Sequence, residues 1–298
     1  MGGSAEGSGE RTRSQARVVE EVVDTDRYPL DDPGGPTLTG VVDRARRELR
    51  EQGCTVLADF IRPALQDALR AEGAAVAPQA HYEPETVNAY NIALDADLPA
   101  EHPGRVTMVR GNAFVARDLL PAGAIIERLY TSALFQRFVA DCFELPELHE
   151  LADPLSGLCL NVIPPGMAHP WHFDTNEFTV SMLTQEPDGG GQFHYCPGIR
   201  TETDENLPDV AAVLAGGSDL VRHLSLRPGD LQLFKGRFAL HRVDTVTGAT
   251  ARHSAIFAYS QRPGVIGSVE RTRQLFGRVL PEHLAAAGRA VRGDTLLD

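Results

Sequence analysis

The stretch Trp171-His172-Phe173-Asp174-Thr175-Asn176-Glu177-Phe178 decides how the rest of the chain is read. His172 and Asp174 stand two apart, and alternate residues of an extended strand share a face. An imidazole and a carboxylate on one face can grip a divalent cation from one side. A third donor has to come from elsewhere, and Phe238-Ala239-Leu240-His241-Arg242-Val243 supplies it in His241. Two imidazoles and one carboxylate hold one face of a metal ion and leave the other positions open to exogenous ligands.

Eleven positions beyond His241 (252 − 241), Arg252-His253-Ser254 places a guanidinium and a hydroxyl two apart on a strand, with His253 out of phase and facing away. A fixed cation beside a hydroxyl suits the distal carboxylate of 2-oxoglutarate, because arginine grips carboxylates in a two-pronged, permanently charged geometry. A lone His-x-Asp is commonplace on protein surfaces. The ordered set is more specific: His-x-Asp, 66 intervening residues, His, then Arg-x-Ser. It is the pattern of the Fe(II)/2-oxoglutarate dioxygenase superfamily, which the chain resembles. The blocks WHFDTNEFTVSMLTQ (171–185), GGGQFHY (189–195), Asp204-Glu205-Asn206 and LFKGRFALHRV (233–243) further resemble the ArpA-like family. That family includes hydroxylases of free amino acids and radical halogenases of lysine and similar amino acids.

The resemblance covers roughly residues 105–277. It implies Fe(II), 2-oxoglutarate and O2 as cofactor and co-substrates, and a free amino acid or amino-acid-derived metabolite as substrate. It also implies that Arg110 takes the substrate carboxylate and that His169 faces the substrate. Thr175, directly after Asp174, is a further candidate substrate contact, and His194 reads as structural. Halogenases of this type carry Gly or Ala where Asp174 stands, leaving room for chloride, so the departure points to a hydroxylase. A desaturase, an oxidative cyclase and a halogenase are the alternatives within the chemistry. A non-catalytic cupin-like metal-binding module is the alternative outside it.

Composition narrows the classes. Lys and Arg number 28 against 41 Asp and Glu, a net charge of −13 that argues against nucleic acid. The four cysteines, Cys54, Cys142, Cys159 and Cys196, show no CxxC pairing. No apolar run is long enough to span a membrane, so a soluble, cytoplasmic protein is expected.

Along the chain, residues 1–36 read as a disordered tail rich in Gly, Ser, Pro and charge, and residues 37–298 as one domain. Helices are expected over 39–52 and 64–71, and one long helix over 125–142, with a strand at 54–60 between the first two. Residues 76–104 read as a long loop with a short strand or helix, able to act as a lid. From Leu158 onward, eight short strands punctuated by turns such as Pro164-Pro165-Gly166 and Arg227-Pro228-Gly229 predict a double-stranded β-helix, a cupin-like jelly roll with flanking helices. The C-terminal segment from Ser268 reads as helical, packing on the N-terminal helices or pairing two copies into a homodimer.

Overall fold

Short strands with alternating apolar residues build two facing sheets, and helices cover the larger one. The computed structural model of the chain describes residue 19, residues 21–288 and residues 296–297. In chain order the strands of three residues or more are β1 (Cys54–Leu57), β2 (Glu85–Asn88), β3 (Thr107–Arg110), β4 (Ala113–Val115), β5 (Leu158–Ile163) and β6 (His169–His172). They continue as β7 (Thr179–Gln185), β8 (Phe193–Cys196), β9 (Arg222–Leu224), β10 (Leu231–Phe234), β11 (Leu240–Val243) and β12 (Arg252–Phe257). The helices are α1 (Pro36–Gln52), α2 (Gln66–Val76), α3 (Ile125–Tyr130), α4 (Ala133–Cys142), α5 (Leu207–Leu214), α6 (Val269–Phe276) and α7 (Pro281–Ala286).

The major sheet has the order β1-β10-β7-β12-β5-β4 and the minor sheet β9-β8-β11-β6. All pairings within both sheets are antiparallel. This is the mainly β architecture with flanking helices expected from the strand pattern, a double-stranded β-helix.

Period-two alternation sorts the major sheet's residues between two environments. Val180, Met182, Leu231, Leu233, Ala255 and Phe257 point outward into a core shared with Leu38, Val42 and Leu49 of α1 and Phe135 and Phe138 of α4. The alternate positions face the minor sheet. Ile163 and Phe234 join Phe193, Tyr195 and Val243 in an inner apolar cluster. Beside them runs a polar row: Ser181 Oγ donates to Gln232 Oε1 at 3.1 Å, and Asn161, the register partner of Ser254, accepts from Asn112 Nδ2 at 2.8 Å. A barrel interior polar along one side is suited to a polar ligand.

Three expectations change. Val19, Val22, Val23, Tyr28 and Leu30 are buried in the outer core, so the described part of segment 1–36 is not a free tail. The valine pairs recur at helical spacing, and Arg62 N–H donates to Val22 O at 3.0 Å. The rest of that segment, residues 1–18 and 20, lies outside the described residues. The single helix over 125–142 is two, because Ser132 leaves the helical region (φ −76°, ψ 119°) and its hydroxyl caps α4 by accepting from Phe135 N–H. The short element expected within 76–104 is the strand β2, which pairs with β3 from Glu85↔Arg110 to Asn88↔Thr107. Finally, α6 packs by Phe276 against Phe114 of β4, ring centroids 6.2 Å apart, rather than on the N-terminal helices. Among the described residues, no helix is long and apolar enough to cross a membrane.

Candidate metal centre and its surroundings

His172 ends β6, and His241 lies directly opposite it on β11. Directly opposed residues of neighbouring strands project from the same face, and the two rings stand 4.1 Å apart. Each ring is oriented by its own backbone: His172 Nδ1 lies 2.8 Å from Pro170 O, and His241 Nδ1 lies 2.8 Å from Ala239 O. A carbonyl only accepts, so both Nδ1 atoms carry a proton, which leaves Nε2 as the atom of each ring that can bind a metal.

Asp174 reaches the same point by a different route from the expected one. The strand stops at His172, so the two ligands do not share a strand face. Asp174 sits in the following turn, where its N–H donates to Gly236 O at 3.2 Å and Thr179 Oγ1 donates to its Oδ2 at 2.5 Å. That leaves Oδ1 3.5 Å from His172 Nε2 and 3.4 Å from His241 Nε2. Gly236 makes the approach possible, since a Cβ there would fall 2.1 Å from Asp174 Oδ2.

Three acceptor atoms therefore converge, all within 4.8 Å of one another. Burial, then the neighbouring His241, lowers the His172 pKa and keeps it neutral. Burial raises the Asp174 carboxyl, but His241 and His172, when they carry charge and donate to it, outweigh that and hold it well below the ordinary carboxylate range. Two imidazole Nε2 atoms and an ionised carboxylate gathered at one point fit a divalent cation, which binds in place of protons. Adjacent ligands about 2.1 Å from an ion stand about 3 Å apart, close to the separations seen.

Arg252 lies across the barrel on β12, 4 % exposed, with Nη1 donating to Ser254 Oγ at 2.9 Å. Among the described residues no carboxylate comes within 4.0 Å of it, and burial pushes its pKa down to about 10, with Asp244 opposing. Gly191 (φ +66°) lets the minor-sheet loop close on this side chain, for a Cβ there would meet Arg252 Cδ at 3.1 Å. His253 faces the opposite way, toward Gly73 of α2, as the strand phase predicts.

On the other side of the triad, His169 stacks on His172 at 3.8 Å between ring centroids. Burial first, then His172 and His241, keep it well below the ordinary histidine range and so neutral. Arg110, buried at the end of β3, gives Nη2 to Glu85 Oε2 at 3.0 Å and to Gln274 O at 3.3 Å, while its Nε and Nη1 find no protein partner. Thr175 is half-buried beside Asp174. His194 lies 3.2 Å from Asp244 Oδ2 and is packed edge-on to Trp171, a structural position. Glu205 pairs with the buried Arg200, whose guanidinium lies over the Phe173 ring at 3.8 Å, so the Asp204-Glu205-Asn206 block braces the turn that carries Asp174.

Residues 39–272 match a family model described as Halogenase D. Among solved structures, similarity extends to a prolyl hydroxylase from Trichoplax adhaerens in complex with a hypoxia inducible factor oxygen degradation domain peptide. The two are 14 % identical, with 77 % of this chain and 96 % of that one covered, at a TM-score of 0.50. AviO1 from Streptomyces viridochromogenes Tue57 is 17 % identical over 75 % of this chain and 96 % of its own, TM-score 0.50. SnoK, a non-haem α-ketoglutarate-dependent carbocyclase from nogalamycin biosynthesis, is 17 % identical over 78 % and 91 %, TM-score 0.50. At these identities the likeness is one of fold: that of the 2-oxoglutarate-dependent iron oxygenases. No curated protein sequence matches the chain.

Proposed function

The chain belongs to the Halogenase D family, and from that premise we propose that it is a hydroxylase of the ArpA-like kind, dependent on Fe(II) and 2-oxoglutarate. Its substrate is a free amino acid or a small metabolite derived from one, oxidised at an unactivated C–H bond. One observation carries the choice of hydroxylation: Asp174 Oδ1 stands beside both imidazole Nε2 atoms. A third protein ligand there fills the place a halide would need.

Iron, 2-oxoglutarate and O2 would supply an oxidant able to take a hydrogen atom from such a bond, with release of succinate and CO2. The chain supplies position and charge. His172, Asp174 and His241 would hold the metal, with Thr179 fixing Oδ2 so that Oδ1 stays directed at it. Arg252, aided by Ser254, would hold the distal carboxylate of 2-oxoglutarate; a buried cation without a carboxylate partner is costly unless a ligand completes it. A non-catalytic binding module has no need of that expense.

Arg110 would take the substrate carboxylate through its free Nε and Nη1, and Glu85 beside it would take the ammonium. His169, neutral and stacked on His172, and Thr175 would hydrogen-bond the substrate without adding charge. A cytoplasmic setting suits the four buried, unpaired cysteines.

Amino acids are screened for substrate-dependent succinate formation in the presence of chloride, and the product is weighed. Hydroxylation adds about 16 Da per turnover. A chlorinated product, a product lighter by two hydrogens, or no response to any amino acid would each refute the reading.

A further inference from the structure

The mouth of the site contains a second guanidinium that the reading above leaves unused. Arg271 lies in the first turn of α6, where Ser268 Oγ accepts its N–H at 3.2 Å. Its Nη1 donates to Asn91 Oδ1 at 3.3 Å and to Gln274 Oε1. Asn91 Nδ2 in turn donates to the carbonyl of Phe173 at 3.3 Å, the residue between His172 and Asp174. One side chain therefore separates Arg271 from the backbone of the metal-directed turn. Gln274 ties the network to Arg110, because its Nε2 donates to Glu85 Oε2 at 2.8 Å while its carbonyl accepts from Arg110.

Arg271 is half-buried and has no acidic partner among the described residues. Among the described residues no carboxylate lies within 4.0 Å of it, and its Nε and Nη2 have no partner. Burial, then the like charge of Arg110, push its pKa down to about 10, with Asp174 and Glu85 opposing. Its neighbours on the helix, Glu270 and Arg273, are exposed to solvent, as is Glu83 near Arg110.

We infer that Arg271 is a specificity-determining residue that receives a second anionic group, so that the substrate is an acidic amino acid or a derivative carrying a second acid. This rests on the proposal that Arg110 and Glu85 bind an amino-acid head group. Charge balance supports the class. Two guanidiniums, Arg110 and Arg271, face one carboxylate, Glu85, across the network joined by Gln274, so these three leave the mouth with one net positive charge. A zwitterion with a neutral side chain carries no net charge and would leave the half-buried Arg271 without a counter-charge; an acidic amino acid supplies it.

The test compares aspartate, glutamate and 2-aminoadipate with asparagine, glutamine and lysine. Two readouts are used: substrate-stimulated succinate formation by the iron-loaded enzyme, and calorimetric binding to the cobalt(II)–2-oxoglutarate complex. At least one acid should exceed its amide isostere at least about tenfold in both, the discrimination expected of one charge-assisted contact. Arg271→Gln should bring the acid-to-amide ratio close to one, Arg271→Lys should keep part of it, and Arg271→Glu should turn preference toward lysine. Equal response to acids and amides in the wild type overturns the inference while leaving the amino-acid reading intact. A loss in Arg271→Gln that is equal for acids and amides also overturns it, since Arg271 would then share the α-carboxylate with Arg110. Failure of every amino acid to bind or turn over overturns both.

Discussion

Gly236→Ala is the smallest change that should disable the metal centre without touching a ligand. The added Cβ would fall 2.1 Å from Asp174 Oδ2, 2.8 Å from its Cγ and 2.6 Å from Thr179 Oγ1. A carbon–oxygen contact needs more than about 3 Å, so the carboxylate must retreat by about 1 Å. The retreat also strains the Thr179 hydrogen bond that aims Oδ1 at the two imidazoles. Disturbing the groups that orient a metal ligand costs about 10–100-fold in affinity, or about 1.4–2.7 kcal/mol. Calorimetric titration of the metal-free protein with cobalt(II) measures this directly, and circular dichroism confirms that the variant is folded. Thr179→Val, which removes the hydrogen bond without a clash, should cost less than Gly236→Ala. Unchanged cobalt affinity in folded Gly236→Ala would refute the placement of Asp174 as a ligand.

Arg252→Ala should raise the 2-oxoglutarate requirement more than about a hundredfold while metal affinity stays close to wild type, because breaking a buried ion pair costs about 3–5 kcal/mol. An unchanged requirement would reject that carboxylate site. His253 is buried without a charged partner and its pKa is pushed down to about 4 from the usual 6.5. Between those values the unfolded chain binds the proton and the folded one does not, so stability is lost as pH falls from about 6.5 toward 4. The loss reaches about 3 kcal/mol, and His253→Leu should flatten that limb of the Tm–pH curve. Ser132→Ala removes the α4 cap and should cost about 1 kcal/mol in denaturant unfolding, with no change in metal affinity.

The convergence of His172, Asp174 and His241 was legible because each lies in a short, chemically distinctive block. The route by which they meet was less so. Two-residue spacing suggested that His172 and Asp174 share a strand face, yet the strand ends at His172 and long-range contacts to Gly236 and Thr179 place the carboxylate. Gly236 lies inside the distinctive block 233–243, but its closeness to Asp174 is a property of two loops meeting, which no local window contains. The same holds for Arg271, which reads as one cation on an ordinary amphipathic helix until Asn91 and Gln274 connect it to the site. The valine pairs near residue 20 carried a real helical period that the surrounding Gly, Ser and charge outweighed. The break at Ser132 was hidden because apolar residues keep their helical spacing across it, while the hydroxyl acts as a cap.

The most direct measurement of the central claim is the mass of the product formed by the wild-type enzyme with Fe(II), 2-oxoglutarate, O2 and an accepted amino acid in excess chloride, repeated in bromide. With Asp174 in the place a halide would need, the product should be heavier by about 16 Da in both salts, with succinate formed in step. A product whose mass changes with the halide would contradict the account.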